Sequence, residues 1–248
     1  MNNKTKNILS SVIAFATVAV LVGGVFISNR TLQTSITVNT NKTSVEAMKQ
    51  LKKTQDALSE TFKKLSDAMN GQEDGGDAEG LAVAEGKETA LTNLTRLQKR
   101  NSQNIQVLTT AGSLLNQMDS ISLQLQNIAL SAGSDGNGEV SIALDKLQAI
   151  KKQFSGKDVK SFSKTANSII DSMTIATKEY FVGSQKTKKS SVAKASNTAS
   201  SREYLDKLKK NKTSISELRK GVIFYVDLSD TMIRNSIDET NAAFPDYN

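Results

Sequence analysis

Apolar residues recur along most of this chain in alternating steps of three and four, the spacing that lines one side of an α-helix. Met48, Leu51, Leu58, Phe62, Leu65 and Met69 form one such stripe, broken only at Gln55. Leu81, Ala84, Leu91, Leu94, Ile105, Leu108, Ala111, Leu115, Met118, Leu125 and Ile128 form a second, over a length unusual for a globular helix. Between them runs Asn70-Gly71-Gln72-Glu73-Asp74-Gly75-Gly76-Asp77. Its glycines free the backbone and its Asn and Asp side chains compete for backbone hydrogen bonds, so the helix stops there. Asp77 is placed to cap the free amides of the helix that follows. Residues 44–131 are therefore expected to form a long antiparallel helical hairpin whose narrow apolar seam has coiled-coil spacing.

Beyond it, Ser131-Ala132-Gly133-Ser134-Asp135-Gly136-Asn137-Gly138 is a turn cluster. Val140, Leu144, Leu147 and Phe154 predict a short helix, and Phe162, Ala166, Ile169, Met173, Ala176 and Tyr180 another, split by Ser155-Gly156-Lys157-Asp158. Residues 139–182 thus supply additional helices able to pack on the hairpin. Residues 183–201 are poor in apolar positions and rich in Ser, Thr, Ala and Lys, with Lys186, Lys188, Lys189 and Lys194. They read as a solvated loop; the sharper alternative is an anion-binding patch. No aromatic residue interleaves these lysines, so base stacking is unsupported and no nucleic-acid partner is expected. Over 202–244 the stripe resumes at Leu205, Leu208, Ile215, Leu218, Val222, Tyr225, Met232 and Ser236, a C-terminal return helix that Pro245 ends. The run Gly221-Val222-Ile223-Phe224-Tyr225-Val226 is too short to cross a membrane and reads as a well-buried turn of the bundle or as a subunit contact.

The N-terminus follows a different pattern. Residues 8–28 carry no charge and are flanked by Lys4 and Lys6 before and Arg30 after. A span of roughly 20 apolar residues matches the hydrocarbon thickness, so residues 1–30 are read as a transmembrane anchor in contact with lipid, followed by a polar linker at 31–43. A cleaved signal peptide and a helix buried at the centre of a filament are the alternatives. The lysines favour a cytoplasmic N-terminus, which places the bulk of the chain outside the cytoplasmic membrane.

Composition narrows the chemistry. With apolar content of 38% and aromatic content of 5%, narrow seams between helices are favoured over a thick core, each buried Leu or Phe contributing roughly 1.5–3 kcal/mol. The chain has no Cys and no His, which removes thiol nucleophiles, disulfides, imidazole bases and nearly all zinc or haem ligation. Glu73, Asp74, Asp77 and Glu79 sit on a glycine-rich turn where solvated charge is the default, with nothing to set their pKa values apart for acid–base work. Asp135, Asn137 and Glu139 alternate like the start of a calcium loop, but Val140 holds the glycine position and Lys146 the place of the closing Glu. No catalytic, cofactor-binding or metal-ligating residue is expected.

Read in order, residues 36–135 resemble the N-terminal part of bacterial flagellins. Ile36-Thr37-Val38-Asn39-Thr40-Asn41 is similar to that family's opening segment, and Leu51-Lys52-Lys53-Thr54-Gln55-Asp56-Ala57-Leu58-Ser59 with Lys64-Leu65-Ser66 to its first coiled helix. Gly76-Asp77-Ala78-Glu79-Gly80-Leu81-Ala82-Val83-Ala84 resembles its turn, and Arg100-Asn101, Asn104, Ile105, Thr110, Gly112, Leu114, Leu115 and the stretch from Gln124 to Ala132 its second helix. The chain departs from the family in its apolar residues 8–28, in lacking a matching terminal helix, and in Gln126 and Ala129 standing near where the family has arginines. The resemblance implies a helical rod, without the inner-tube helices, that associates with copies of itself or with related flagellin-like subunits. The expectation is an all-α, membrane-anchored structural protein of a filament, sheath or surface layer, its rod and the packing of its subunits held by Leu58, Leu65, Leu115, Leu125 and Leu218. An anchored extracytoplasmic helical-bundle sensor or adaptor, binding a small ligand or protein partner, is the alternative.

Overall fold

The computed structural model describes residues 38–70, 78–131, 137–187 and 193–244. Among them every element is helical: α1 Val38–Asn70, α2 Ala78–Leu130, α3 Asn137–Phe154, a short 3-10 segment Lys157–Phe162, α4 Ser163–Thr187 and α5 Ala193–Ala243. The expected all-α class is what is seen. Helix invades two stretches expected to be irregular. α1 begins inside the 31–43 linker, and α4 and α5 run into the 183–201 loop from both sides. Ala and Lys are strong helix formers, so low apolar content there does not mean irregular backbone. No helix among the described residues is long and apolar enough to cross a membrane; residues 8–28, where an anchor is expected, lie outside them, as do the glycine-rich turn at 71–77 and Pro245.

α2 and α5, of 53 and 51 residues, are the longest helices, each about 80 Å at 1.5 Å per residue. Along α2 the buried positions Lys87, Ala90, Leu94, Leu97, Asn101, Asn104, Leu108, Ala111, Leu115, Met118, Ser122, Leu125 and Ala129 alternate steps of three and four without a break. α5 packs antiparallel on this seam. Asn104 Nδ2 donates to Ser229 Oγ at 3.0 Å, and further along Arg219 Nη2 donates to Asn116 Oδ1 at 3.0 Å and Asp119 Oδ2 at 2.7 Å.

α1 lies against one stretch of this pair. Asn101 Nδ2 donates to the Leu51 carbonyl and to Gln55 Oε1, both at 3.0 Å, which fixes the antiparallel register of α1 on α2. Gln55, the break in the α1 stripe, is thus the partner of a buried amide. Thr61 Oγ1 donates to Asn241 Oδ1 at 3.3 Å, tying α1 to the end of α5. Leu58 and Leu65 pack with Leu94, Leu97, Ile233 and Ile237 in one cluster. The buried face of α1 reads Ala47, Leu51, Thr54, Leu58, Thr61 and Leu65, so threonines alternate with leucines along it.

α3 and α4 occupy the other stretch. Lys151 Nζ reaches both carboxylate oxygens of Asp171 at 2.6 and 2.8 Å, joining α3 to α4. Thr177 Oγ1 and Tyr204 Oη lie 3.0 Å apart, and Tyr180 Oη and Ser201 Oγ 2.9 Å, joining α4 to α5. The Tyr180 and Tyr204 rings stack at 4.5 Å and 3°, and burial pushes the Tyr204 phenol up to about 12. Between α3 and α4 the chain turns at Gly156, where an added Cβ would come within 3.0 Å of the Gln153 carbonyl. The 3-10 segment then buries Val159 and receives a 2.8 Å hydrogen bond from Gln106 Nε2 to Asp158 Oδ2. That places it on α2 a little beyond Asn101, where α1 is held, so α1 and the α3–α4 pair follow one another along α2 and α5.

Candidate functional site

The five leucines expected to pack subunits lie inside the chain. Leu58, Leu115 and Leu125 are 0% exposed, Leu65 3% and Leu218 7%. They hold one chain's helices together and offer no surface to a second copy. A bare two-helix hairpin leaves one side of its seam open, whereas here α5, α3 and α4 cover it, and the leucines are spent on the fold.

What remains uncovered is on α5. Its inner face is Ile215, Leu218, Val222, Ile223, Val226, Ile233 and Ile237, all buried. Phe224, Tyr225, Leu228 and Met232 point outward at 70%, 48%, 54% and 50% exposure. At 100° per residue these four and Gly221 fall within an arc of about 100°, on the side opposite the buried face. The run Gly221-Val222-Ile223-Phe224-Tyr225-Val226 is accordingly divided between the two faces of the helix. Val222, Ile223 and Val226 are core; Phe224 and Tyr225 are surface. The apolar stripe followed through Tyr225 and Met232 crosses from one face to the other, and the residues it missed, Ile223, Val226, Ile233 and Ile237, are the buried ones.

Three features set this stripe apart from scattered exposed apolar residues such as Val45, Leu130, Ile142 and Ile175. It is contiguous over more than two turns of one helix. Phe162 of the 3-10 segment meets Tyr225 edge-on at 5.7 Å and 85°, which holds the tyrosine ring and widens the apolar strip. Gly221, finally, sits within α5 where a Cβ would meet nothing within 4 Å. Glycine there costs roughly 0.5–1 kcal/mol of helix stability relative to alanine, with no packing among the described residues to require it.

One flank of the stripe is charged. Lys220 Nζ bonds Glu217 Oε1 at 2.7 Å, and Arg234 Nε bonds Asp230 Oδ2 at 3.0 Å. Burial, and then the neighbouring Asp230, hold the Asp227 carboxyl above its ordinary range against the opposing pull of Arg234. The opposite flank of α5, Ser236 and Thr240, carries no charge.

A second feature is polar. Lys151, Lys164, Asn167, Asp171, Glu179, Lys207, Lys210 and Asn211 line an open groove of about 990 Å³ along α4 and α5. Asp171 is taken by Lys151, and Glu179 by Lys207 at 3.3 Å, the carboxylates of Glu203 and Glu179 holding the Lys207 ammonium above the usual lysine range. Asn211 is 5% exposed, and its Nδ2 has no hydrogen-bond partner among the described residues. Sequence reasoning did not find this groove, because its residues come from three helices and share no motif. Comparison of the chain with protein-family models, with curated proteins and with solved structures finds no match.

Proposed function

We propose that this chain is a flagellin-like structural protein, anchored in the cytoplasmic membrane through residues 8–28 with its bulk outside, that associates with copies of itself into a filament, sheath or surface layer. The observation that carries the reading is the uncovered stripe Gly221, Phe224, Tyr225, Leu228 and Met232 on α5. An apolar strip of this kind on a helix whose other face is fully packed is stabilised by a second surface that excludes water from it. The unbroken heptad spacing along α2 supports a coiled-coil rod, as the resemblance to flagellins implies.

The test is the oligomeric state of the full chain by sedimentation, with electron microscopy of any polymer. Parent protein is expected to assemble with rising concentration. Leu228→Asp sets a charge in the middle of the strip without touching the core. A central contact of about 2 kcal/mol, lost on both sides of a symmetric interface, weakens association by roughly a thousandfold. A parent chain that stays monomeric throughout refutes the reading. An intact Met1 in the membrane fraction, measured by mass, supports the anchor.

The groove favours a second reading, an anchored helical-bundle sensor, because a buried amide facing four lysines suits an anionic ligand. Discrete oligomers whose melting temperature rises with a small dicarboxylate or phosphate, and no polymer, support that reading instead.

A further inference from the structure

We infer that the groove along α4 and α5 binds a small phosphate monoester that also carries a hydroxyl group. The inference rests on the ligand-binding reading above, gives that ligand its chemistry, and is independent of self-association.

Charge sets the sign of the ligand. The two carboxylates of the groove are already taken: Lys151 Nζ holds both oxygens of Asp171 at 2.6 and 2.8 Å, and Lys207 Nζ reaches Glu179 at 3.3 Å and Glu203 at 3.0 Å. Lys164 and Lys210 remain, and neither is paired with a carboxylate among the described residues. A groove with two unbalanced cations repels metal ions and amines and draws in an anion. Two cations also match the nearly double charge of a phosphate monoester at neutral pH.

Two buried polar atoms set its hydrogen bonding. Asn211 Nδ2, a donor, and Asn167 Oδ1, an acceptor, are both buried with no hydrogen-bond partner among the described residues, and both side chains line the groove. A buried polar group left unsatisfied is costly, and a ligand that satisfies it recovers that cost on binding. The terminal torsion of an asparagine is soft, so a modest turn presents each amide to the groove. The contacts of Thr177 with Tyr204 and of Tyr180 with Ser201 fix the antiparallel register of α4 on α5. That register sets Asn211 across from Ile170, three residues and about 4.5 Å along the axis from Asn167. It sets Lys210 across from Asp171, so the two amides lie between Lys210 and Lys164. A phosphate oxygen accepts from Asn211 and from the lysines, while a hydroxyl on the same molecule donates to Asn167. A bare anion leaves Asn167 unsatisfied, and an uncharged polyol leaves the lysines unmatched.

The test is calorimetric titration of the full chain, at fixed pH and ionic strength, with glycerol phosphate, inorganic phosphate and glycerol. Glycerol phosphate is expected to bind once per chain, roughly tenfold tighter than inorganic phosphate, and glycerol not to bind. Lys164→Gln and Lys210→Gln, both at exposed positions, are each expected to weaken it roughly threefold. Asn211→Asp keeps the shape but exchanges a donor for a negative charge, and is expected to weaken it roughly a hundredfold. Should that variant lose its helical circular dichroism, the two lysine variants carry the test. Lys99→Gln, exposed on α2, is the control for overall charge and is expected to change nothing. Equal affinity for glycerol phosphate and inorganic phosphate overturns the hydroxyl contact. Absence of binding, or a loss with Lys99→Gln as large as with Lys164→Gln and Lys210→Gln, overturns the site. A chain that polymerises and still binds glycerol phosphate in the groove refutes the sensor reading and upholds the site; discrete oligomers that do not bind it overturn the site alone.

Discussion

Arg219 and Asp119 provide the most exacting check on how α5 is held to α2. Their side chains are 6% and 13% exposed, with an N–O distance of 2.7 Å and a further bond from Arg219 to Asn116 at 3.0 Å. Two charges this far from water are costly to desolvate, and their attraction roughly offsets that cost, so the pair adds little net stability while intact. Removing one partner is different. Arg219→Met leaves a nearly buried carboxylate with no cation, at a cost of about 3–5 kcal/mol, a large share of the roughly 5–15 kcal/mol available to a folded domain. Arg219→Met combined with Asp119→Leu removes both charges and keeps the volume, and is expected to lie within about 1 kcal/mol of the parent. Urea denaturation followed by helical circular dichroism gives all the corners of the cycle. The double variant must be the more stable of the two that lack Arg219. If Arg219→Met costs under about 1 kcal/mol, the pair behaves as an exposed one and its assigned burial is wrong.

The other expectations are simpler. Leu65→Ala truncates a buried side chain between α1, α2 and α5 and is expected to cost about 2–5 kcal/mol in the same denaturation assay. Gly221→Ala adds a methyl group to open space on a helix and is expected to raise monomer stability by about 0.5–1 kcal/mol, read as a higher denaturation midpoint, while weakening assembly. For Tyr204 the folded pKa of about 12 lies above its ordinary 10.0, so the fold favours the protonated phenol. The resulting stability, on the order of 2–3 kcal/mol, is present below pH 10 and is lost as pH rises toward about 12. Tyr204→Phe is expected to flatten that alkaline decline relative to the parent, as measured by melting temperature against pH.

The helical fold was legible because its apolar residues are periodic and its turns are rich in glycine. Leu51, Leu58 and Leu65 on α1, and Leu94 through Ile128 on α2, stand where their spacing put them. Thr54 and Thr61 were not readable as core, since a hydroxyl makes a buried threonine look like a surface residue until its neighbours are known. On α5 the stripe misled for a physical reason. The helix carries two apolar faces, and a three-four walk starting from Leu218 and Val222 passes to Tyr225 on the outer one. Which face is covered depends on α1, α2 and α4 together, and no local pattern contains that. For the same reason the five leucines, expected between chains, make contacts within one, and the groove around Asn211 has no local signal at all.

The threonines of α1 have one more effect. A seam that alternates leucine with threonine excludes less apolar surface than one of leucine alone, and Thr54 Oγ1 is buried with no hydrogen-bond partner among the described residues. α1 is therefore the helix held most weakly, and amide exchange should find it opening before the rest. When it swings away, Leu94, Leu97, Ile233 and Ile237 are bared while Arg219, Tyr204 and the α3–α4 pair keep the remainder intact. The chain thus carries a detachable strap whose release trades one sealed face for a fresh sticky one.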